Sequence, residues 1–325
     1  MKTLISTIAM LAVFATFTFA QNYNDVLVVV NSNSQISVDV GAYFKAMRSI
    51  PNVNVCAVAM PTTEEITGSQ YDAAVAAIKS YMAANSLTTS INYIVTTQGV
   101  PLKVRRTASV NPAPGNGYSD ASSFDSDLCL MNSNREQYIG NLGYTSNPYY
   151  MSNSDFSRTA IYQNIYLVTR LAGYTYADIV YLINKGVQPY VSTGEFVLDR
   201  DPSKSGGLEN NMASANTMLT GKGYNTYYDN TTTYVTDKIN VLGYVSWGSN
   251  DANWSSYTQR ANPNFHFSPK ALAETYVSSS GRTFEDSTFI EPTIGWQSLV
   301  ADLIEYDGPT GVKGYVFEPY TFAMA

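Results

Sequence analysis

The residues best suited to chemistry in this sequence cluster where short apolar runs end. Six such runs, rich in Val, Ile and Tyr, are each followed by polar side chains. The carboxyl ends of parallel strands meet at one edge of a sheet, where ligands bind. Asn, Asp and Ser also form turns and helix caps without any ligand. We expect a ligand-binding cleft at this edge, with Asn31, Asn33, Thr97, Gln98, Trp247, Asn250, Asp251 and Glu318.

The densest of these clusters spans residues 244–254. Gly248 permits a sharp turn that leaves Trp247 and Asp251 near the sheet edge. A Trp beside an Asp and an Asn suits a platform for a sugar or a peptide, and it also suits a loop that anchors the structure.

Two carboxylates and two serines are candidates for hydrolysis. Asp251 or Asp127 would act as the base, and Ser249 or Ser279 as the nucleophile. A serine hydroxyl within about 3 Å of a buried carboxylate would favour this reaction. No G-x-S-x-G or H-E-x-x-H motif occurs, and the single histidine, His266, is flanked by phenylalanines, which favours a packed structural role.

Pairs of aspartates two residues apart predict, weakly, a site for a hard cation such as calcium. Alternating oxygen ligands occur in calcium loops, although the full twelve-residue pattern is absent here. The pairs are Asp125 with Asp127, and Asp199 with Asp201.

The positions of these residues follow from the alternation of apolar runs with helical segments. Continuous apolar runs of about five residues are typical of strands buried on both faces. Strand–helix–strand alternation predicts an α/β fold, with a mostly parallel sheet and helices on both faces. The expected strands lie at 25–30, 53–59, 91–95, 195–198, 241–245 and 312–317. The expected helices lie at 36–47, 70–83, 177–183, 208–219 and 294–304.

Residues 103–157 interrupt this alternation with turn-forming Asn, Pro and Gly. We interpret them as an irregular loop lobe on a single domain that spans residues 21–325. A loop of this length is either a binding loop or a surface insertion.

Composition narrows the classes of function. The 325 residues are 45% hydrophobic but only 14% charged, and the formal net charge is -7. This balance excludes a typical nucleic-acid-binding protein, which needs a basic face. One histidine also excludes a metal site built from several histidines.

The first twenty residues read as a secretory signal peptide. Lys2 provides the positive charge, an apolar stretch runs from residue 4 to residue 19, and Ala20 precedes the expected cleavage point. No later apolar run approaches the ~20 residues of a membrane span. We expect a secreted protein in which Cys56 and Cys129 are buried and act as small apolar residues. A disulfide bond between them is the alternative, because exported proteins often contain disulfides.

Four long motifs resemble an uncharacterised family of exported bacterial proteins. They are DVLVVVNSNS at 25–34, YIVTTQGVPLKV at 93–104, SWGSND at 246–251 and GVKGYVFEPY at 311–320. The resemblance implies export from a bacterial cell but brings no activity with it. The family continues past residue 320, which implies that the chain is truncated at Ala325.

A fainter resemblance is to the gingipain-type cysteine peptidases, and it implies a caspase-like three-layer sandwich. In those enzymes one strand ends at His-Gly and the next at the catalytic Cys. Here Trp247 and Gly248 stand at the first position, and serines of the segment 274–281 stand at the second. The resemblance therefore implies a pseudo-peptidase that lacks the catalytic dyad.

These observations leave three functional hypotheses. The first is a non-catalytic binding or surface protein that uses the strand-end cleft for a peptide, a glycan or a cation. The second is a hydrolase that uses Asp and Ser at the same cleft. The third is a structural component of an envelope assembly, which only the composition suggests.

Overall fold

The computed structural model describes residues 22–106, 121–132, 149, 152, 154–158, 164–204, 206–251, 260–286 and 297–317. The expected signal peptide at 1–20, residue 318 and the chain end lie outside the described residues. The described strands are β1 Val26–Asn31, β2 Val55–Val58, β3 Glu65–Thr67, β4 Tyr93–Thr97, β5 Lys103–Arg105, β6 Ala121–Ser123, β7 Leu167–Leu171, β8 Glu195–Arg200, β9 Asn225–Asn230, β10 Ile239–Ser246, β11 His266–Thr275 and β12 Gly311–Lys313. The described helices are α1 Gln35–Arg48, α2 Gly68–Ala84, α3 Phe124–Cys129, α4 Tyr176–Val187, α5 Gly207–Gly221 and α6 Val300–Asp302.

The first sheet is parallel throughout, with the strand order β2-β1-β4-β7. One of its two inner strands, β1, is buried along its whole length. Leu27 and Val29 face one apolar core with α2 and α3, while Val26, Val28 and Val30 face another with α1 and α4. Successive side chains of a strand point to opposite faces, so a continuous apolar run fills both layers.

The second sheet is also parallel throughout, with the order β12-β11-β10-β8-β9. Tyr244 of β10 packs edge-on against Phe265, at 5.0 Å between ring centroids, in the core on one face. Leu208 and Met212 of α5 pack with Tyr276 in a smaller cluster. The predicted class, α/β with mainly parallel sheets, is confirmed.

The strands are divided between two main sheets, whereas we expected one. Strand β8 pairs with β9 and β10, and β7 pairs only with β4 among the described strands. Helix α4 contacts elements of both sheets. Ile179 and Ile183 pack with α1 against β1 of the first sheet, and Lys185 Nζ donates to the carbonyl of Gly308, near β12 of the second sheet. A residue at the end of a strand in one sheet therefore does not share a sheet edge with one in the other.

The expected irregular lobe contains regular structure. Strands β5 and β6 lie in this region and form a small mixed sheet with β3, and helix α3 follows directly. Phe124 at the start of α3 is fully buried and packs edge-on against Tyr71 of α2. The short strands carry too few apolar residues to be recognised from periodicity.

No helix in the described part of the chain is long and apolar enough to span a bilayer.

The close packing of α1 on β1 gives a stability test. A Cβ added at Gly41 would lie 2.4 Å from Val30 Cγ1, so Gly41→Ala forces the helix away from the sheet. We expect the free energy of unfolding, measured by urea denaturation, to fall by about 1–3 kcal/mol.

The matched control is Gly221→Ala at the end of α5, where an added Cβ meets no heavy atom within 4 Å. This variant should keep its stability or gain up to about 1 kcal/mol. Equal effects of the two substitutions would contradict the packing described here.

Candidate functional site

The side-chain amide of Asn31, at the carboxyl end of β1, makes all its hydrogen bonds within the protein. Its Nδ2 donates to the carbonyls of Pro61 and Gly99 at 2.9 and 2.8 Å. Its Oδ1 accepts the backbone N–H groups of Asn33 and Met60, both at 3.0 Å. The residue is buried, and its amide joins three chain segments. A ligand would have to displace one of these bonds.

Thr97, at the end of β4, has a similar internal role. Its Oγ1 lies 2.6 Å from Ser37 Oγ, and Ser37 in turn accepts from the backbone N–H of Asn31 at 2.7 Å. Asn31 and Thr97 therefore belong to one buried hydrogen-bond network, as their positions on neighbouring strands predict. This network closes the edge of the first sheet.

The other two candidates at this edge are nearer the surface. Asn33 is exposed, and its Nδ2 donates to the carbonyl of Met60 at 2.9 Å. Gln98 is half-buried, and its backbone N–H donates to Leu171 at 2.8 Å. Of the four residues expected at this edge, Gln98 alone has a described side chain with no hydrogen bond inside the protein.

The negative charge of Asp125 is compensated by an arginine, Arg170. Its carboxylate receives two guanidinium donors of Arg170, at 2.8 and 2.9 Å, and the hydroxyl of Thr96 at 2.8 Å. Arg170 also donates to the carbonyls of Val100 and Pro101. This bidentate pair fixes α3 to the first sheet.

Asp127 is also paired, although it is more deeply buried. Its Oδ2 accepts from Ser122 Oγ at 2.6 Å and from Arg106 Nη2 at 2.9 Å. Burial raises the pKa of Asp127 to about 6, and the hydrogen bond from Ser122 and the charge of Arg106 oppose the rise. The carboxylate ties the small sheet to α3.

The calcium hypothesis gains no support from these positions. Asp125 and Asp127 are each engaged by an arginine. Asp201 forms a local turn, in which its Oδ1 accepts the backbone N–H of Ser203 at 2.8 Å. Within the described ranges, no group of three or more acidic, His or Cys side chains has an arrangement that could hold a metal ion.

Asp199, at the end of β8, differs from Asp125 and Asp127 because no basic side chain compensates its charge in the described structure. Its Oδ2 accepts from Ser246 Oγ at 3.0 Å and from the backbone N–H of Val235 at 3.4 Å. Its Oδ1 is buried and has no hydrogen-bond partner among the described residues. Burial raises the pKa of Asp199 to about 7, and the negative charge of Asp251 adds to the rise.

The turn after β10 brings the densest sequence cluster to the same edge. Gly248 has a φ of +57°, and an added Cβ would lie 2.7 Å from Val277 Cγ2, so glycine is required here. Its N–H donates to Ser246 Oγ at 2.9 Å. Asn250 Nδ2 donates to the carbonyl of Tyr276 at 2.7 Å, and Asp251 is buried beside the turn. The sharp turn predicted at Gly248 is confirmed.

Trp247 lies at this edge, half-buried and held in a fixed orientation. Its Nε1 donates to Glu209, which also receives Arg200 Nε. Tyr276 packs edge-on against the indole ring at 5.4 Å, and Lys204 Nζ lies 5.8 Å from the ring centroid. A cation already lies near this ring.

We call this region the acidic edge, defined by Asp199, Asp201, Glu209, Asp251 and Trp247. Four carboxylates meet two cations here, Arg200 and Lys204. The sequence did not reveal Glu209, which lies in the first turn of α5, where a carboxylate is favoured by the helix dipole. Its position two residues after the SKSGG segment, as an isolated acid at a helix start, was the available signal.

The expected single cleft therefore divides into two. Asn31, Asn33, Thr97 and Gln98 lie at the carboxyl edge of the first sheet, whereas Trp247, Asn250 and Asp251 lie at that of the second. The correction has a simple cause, because β4 and β10 belong to different sheets. Residue 318 falls outside the described structure.

The serines proposed as nucleophiles have no carboxylate partner in the described structure. Ser249 Oγ accepts from the backbone N–H of Ser298 at 2.9 Å and lies 3.3 Å from Ser298 Oγ. Ser279 has a φ of +57°, and its carbonyl accepts from Arg282. Among the described residues, the two serine hydroxyls that do approach buried carboxylates are Ser246 and Ser122. Ser246 is completely buried, and Ser122 also accepts from Arg106 at 3.3 Å.

The thiols and the histidine are likewise separated. Cys56 and Cys129 are free thiols, and burial raises their pKa to about 12 and about 11. Cys56 lies in β2, and Cys129 ends α3. His266 is exposed at the start of β11, at the amino end of the second sheet. The expectation that His266 is a packed structural residue is thus corrected, because its side chain is exposed.

Comparison of the chain with protein-family models, curated proteins and solved structures returned no match.

The Asn31 network predicts a large loss of stability on truncation. Asn31→Ala would leave the carbonyls of Pro61 and Gly99 and the N–H of Met60 without their buried partner. We expect the free energy of unfolding to fall by roughly 3 kcal/mol or more, measured by chemical denaturation.

Asn33→Ala is the control, because this exposed side chain donates a single hydrogen bond and should cost about 1 kcal/mol or less. If Asn31→Ala is as mild as Asn33→Ala, the internal role assigned to Asn31 is wrong.

Asp199 predicts a defined pH dependence of stability. Its folded-state pKa of about 7 lies above the unfolded value, so the folded state binds the proton more tightly. The resulting stability is fully present below the unfolded pKa of about 4 and is lost as the pH rises to about 7. We expect this residue to lower the free energy of unfolding by roughly 2–3 kcal/mol between about pH 5 and pH 8.

Asp199→Asn should remove this part of the pH dependence, whatever its effect at a single pH. The exposed Asp39→Asn should leave the dependence as in the parent protein. Identical pH profiles for the parent and Asp199→Asn, measured by urea denaturation, would show that Asp199 ionises normally.

Proposed function

We propose that this chain is an exported, non-catalytic binding protein whose acidic edge receives a cationic group, such as a lysine side chain of a peptide. The observation that carries this proposal is the half-buried ring of Trp247 beside an excess of carboxylates. An aromatic face and nearby carboxylates both attract an ammonium group.

The contact between Lys204 and Trp247 supports this choice of ligand. Lys204 Nζ lies 5.8 Å from the ring centroid, so the protein already places one of its own ammonium groups near the indole. Glu209 and Tyr276 hold the ring in place, which reduces the entropy that a ligand has to remove on binding. A ligand cation would compete with Lys204 for this position.

The likeness to gingipain-type peptidases is part of the same proposal. Trp247 and Ser279 follow the neighbouring strands β10 and β11, where that family carries its histidine and cysteine. We propose that the peptide cleft is retained while the dyad is absent, which makes the protein a pseudo-peptidase. Export follows from the signal peptide expected at 1–20.

Hydrolysis is the alternative proposal, and one specific contact favours it. Ser122 Oγ lies 2.6 Å from Asp127, a carboxylate whose pKa burial raises to about 6. We rank it second because Arg106 holds both side chains, and because this pair joins the small sheet to α3 and does not lie at either strand-end cleft.

Calorimetric titration with trilysine and with triglutamate tests the binding proposal. Trilysine should bind, more weakly at high ionic strength, and triglutamate should not. Trp247→Ala should weaken trilysine binding about tenfold or more. Lys204→Ala should strengthen it several-fold, because the competing cation is removed, and this half-buried residue can be changed with little risk to folding.

The control is Asp39→Asn, which removes one exposed negative charge from α1 and should leave the affinity unchanged. Mass spectrometry of the recovered trilysine should show it intact, and cleavage would favour the hydrolase. Equal binding of both peptides, or no binding of trilysine, would refute the acidic edge as a cation site.

A further inference from the structure

An open cleft lies at the other end of the second sheet, where strands β8, β9 and β10 begin. Its volume is about 560 Å³, within the ~300–1,000 Å³ that is typical of small-ligand sites. Glu195 pairs in register with Asn225 on one side and with Val241 on the other, so the cleft crosses three parallel strands. None of the strand-end residues considered above lines it.

The base of the cleft depends on an unusual crossing of the backbone. A Cβ added at Gly194 would lie only 2.1 Å from the carbonyl oxygen of Asn240, so only glycine fits there. Asn240 has a φ of +55°, and the pairing of β10 shifts its register between Ile239 and Val241. Bulges of this kind bend a strand and are frequent beside binding sites.

Aromatic and apolar side chains form one wall of the cleft. The ring of Tyr224 packs edge-on against Phe196, at 5.3 Å and 76°, which fixes its orientation while 36% of the residue stays exposed. Tyr190, near Tyr224 and outside the lining of the cleft, is 52% exposed. Ile239 lines the same cleft and is 63% exposed. These surfaces suit a ligand with an apolar face.

The polar groups of the cleft suit hydroxyl groups. Asn225 and Asn240 are exposed, and the side-chain amides of both make no hydrogen bond within the described structure. An amide both donates and accepts, as a sugar hydroxyl does. Thr226 lines the same cleft, and its Oγ1 donates to Asn216 of α5 at 2.7 Å.

The charges of the cleft are balanced. Glu195 Oε1 lies 3.6 Å from Lys238 Nζ, and Lys238 also lies 3.2 Å from the centroid of the Tyr227 ring. The carboxylate that lines the cleft is thus compensated inside the protein, and a charged ligand would have to break the pair. A neutral ligand leaves it intact.

From the rigid Tyr224 ring, the free amides and the balanced charge, we infer that this cleft binds a neutral carbohydrate. The apolar C–H face of a sugar ring would stack on Tyr224, and its hydroxyls would bond Asn225 and Asn240. We refer to it as the glycan cleft. It is separate from the acidic edge, because the two lie at opposite ends of the second sheet.

Native electrophoresis of the full chain in gels that contain a soluble polysaccharide tests the assignment. The neutral probes are hydroxyethylcellulose, xylan, galactomannan and glycogen, and polygalacturonate is the anionic comparison. We expect retardation by at least one neutral polymer and none by polygalacturonate. Tyr224→Ala and Asn225→Ala should each weaken the association about tenfold or more.

Tyr190→Ala provides a second aromatic variant if the loss of Tyr224 from Phe196 disturbs folding, and it should weaken binding in the same direction. The matched control is Tyr176→Ala on α4, which removes a 41% exposed tyrosine elsewhere and should leave the mobility unchanged. Trp247→Ala should also keep retardation, which separates this test from the acidic edge.

Failure of all four neutral polymers to retard the protein would overturn the inference. Retardation that is unchanged in Tyr224→Ala, Tyr190→Ala and Asn225→Ala, or reduced equally by Tyr176→Ala, would also overturn it.

Discussion

Strands buried on both faces create the constraint on which the rest of this structure depends. When such a strand ends, the polar groups of the next residues are still inside the protein and must find partners there. At the end of β1 the amide of Asn31 supplies four hydrogen bonds and joins the segments that carry Asn33, Met60–Pro61 and Gly99. The polar side chain that the sequence offers as a ligand-binding group is therefore already hydrogen-bonded within the protein. A strand-end residue is free for recognition only where this internal demand is met by other groups.

At the carboxyl edge of the second sheet, not every buried polar group has a partner within the described structure. This edge is therefore the better candidate for a binding site. Asp199 accepts from Ser246 and Val235 with one oxygen, whereas its other oxygen has no hydrogen-bond partner among the described residues. Asp125 and Asp127, by contrast, are each held by an arginine. Burial without a compensating cation raises the pKa of a carboxylate, and ionising such a group at neutral pH destabilises the folded state. Such a cost is more common at functional sites than in purely structural ones.

The sequence predicted the class of the fold because β1 and its neighbours are continuous apolar runs, and helices α1, α2, α4 and α5 follow an apolar stripe. It did not predict β7, β9 and β11, since β7 includes Thr169 and Arg170 and β9 is exposed at every second or third residue. Strand pairing depends on residues that are distant in sequence, so nothing local indicated that β8 begins a second sheet and does not pair with the first. The arginines that compensate Asp125 and Asp127 are likewise distant in sequence, and the spacing of the two acids alone resembled a calcium loop. The turn at Gly248 was predictable because its geometry depends on one residue.

The acidic edge and the glycan cleft share their supporting elements, which constrains how they operate. Strand β8 begins with Glu195 in the cleft and reaches Asp199 near its other end, and α5 carries Glu209 at its start and Thr220 near its finish. A helix of this length spans roughly 22 Å at 1.5 Å per residue, so one small ligand cannot occupy both sites. The two proposed sites would therefore bind separate small ligands, unless a long ligand carries both a cationic and a neutral saccharide part. Such a ligand would gain from effective concentration, because β8 and α5 fix the distance between the sites.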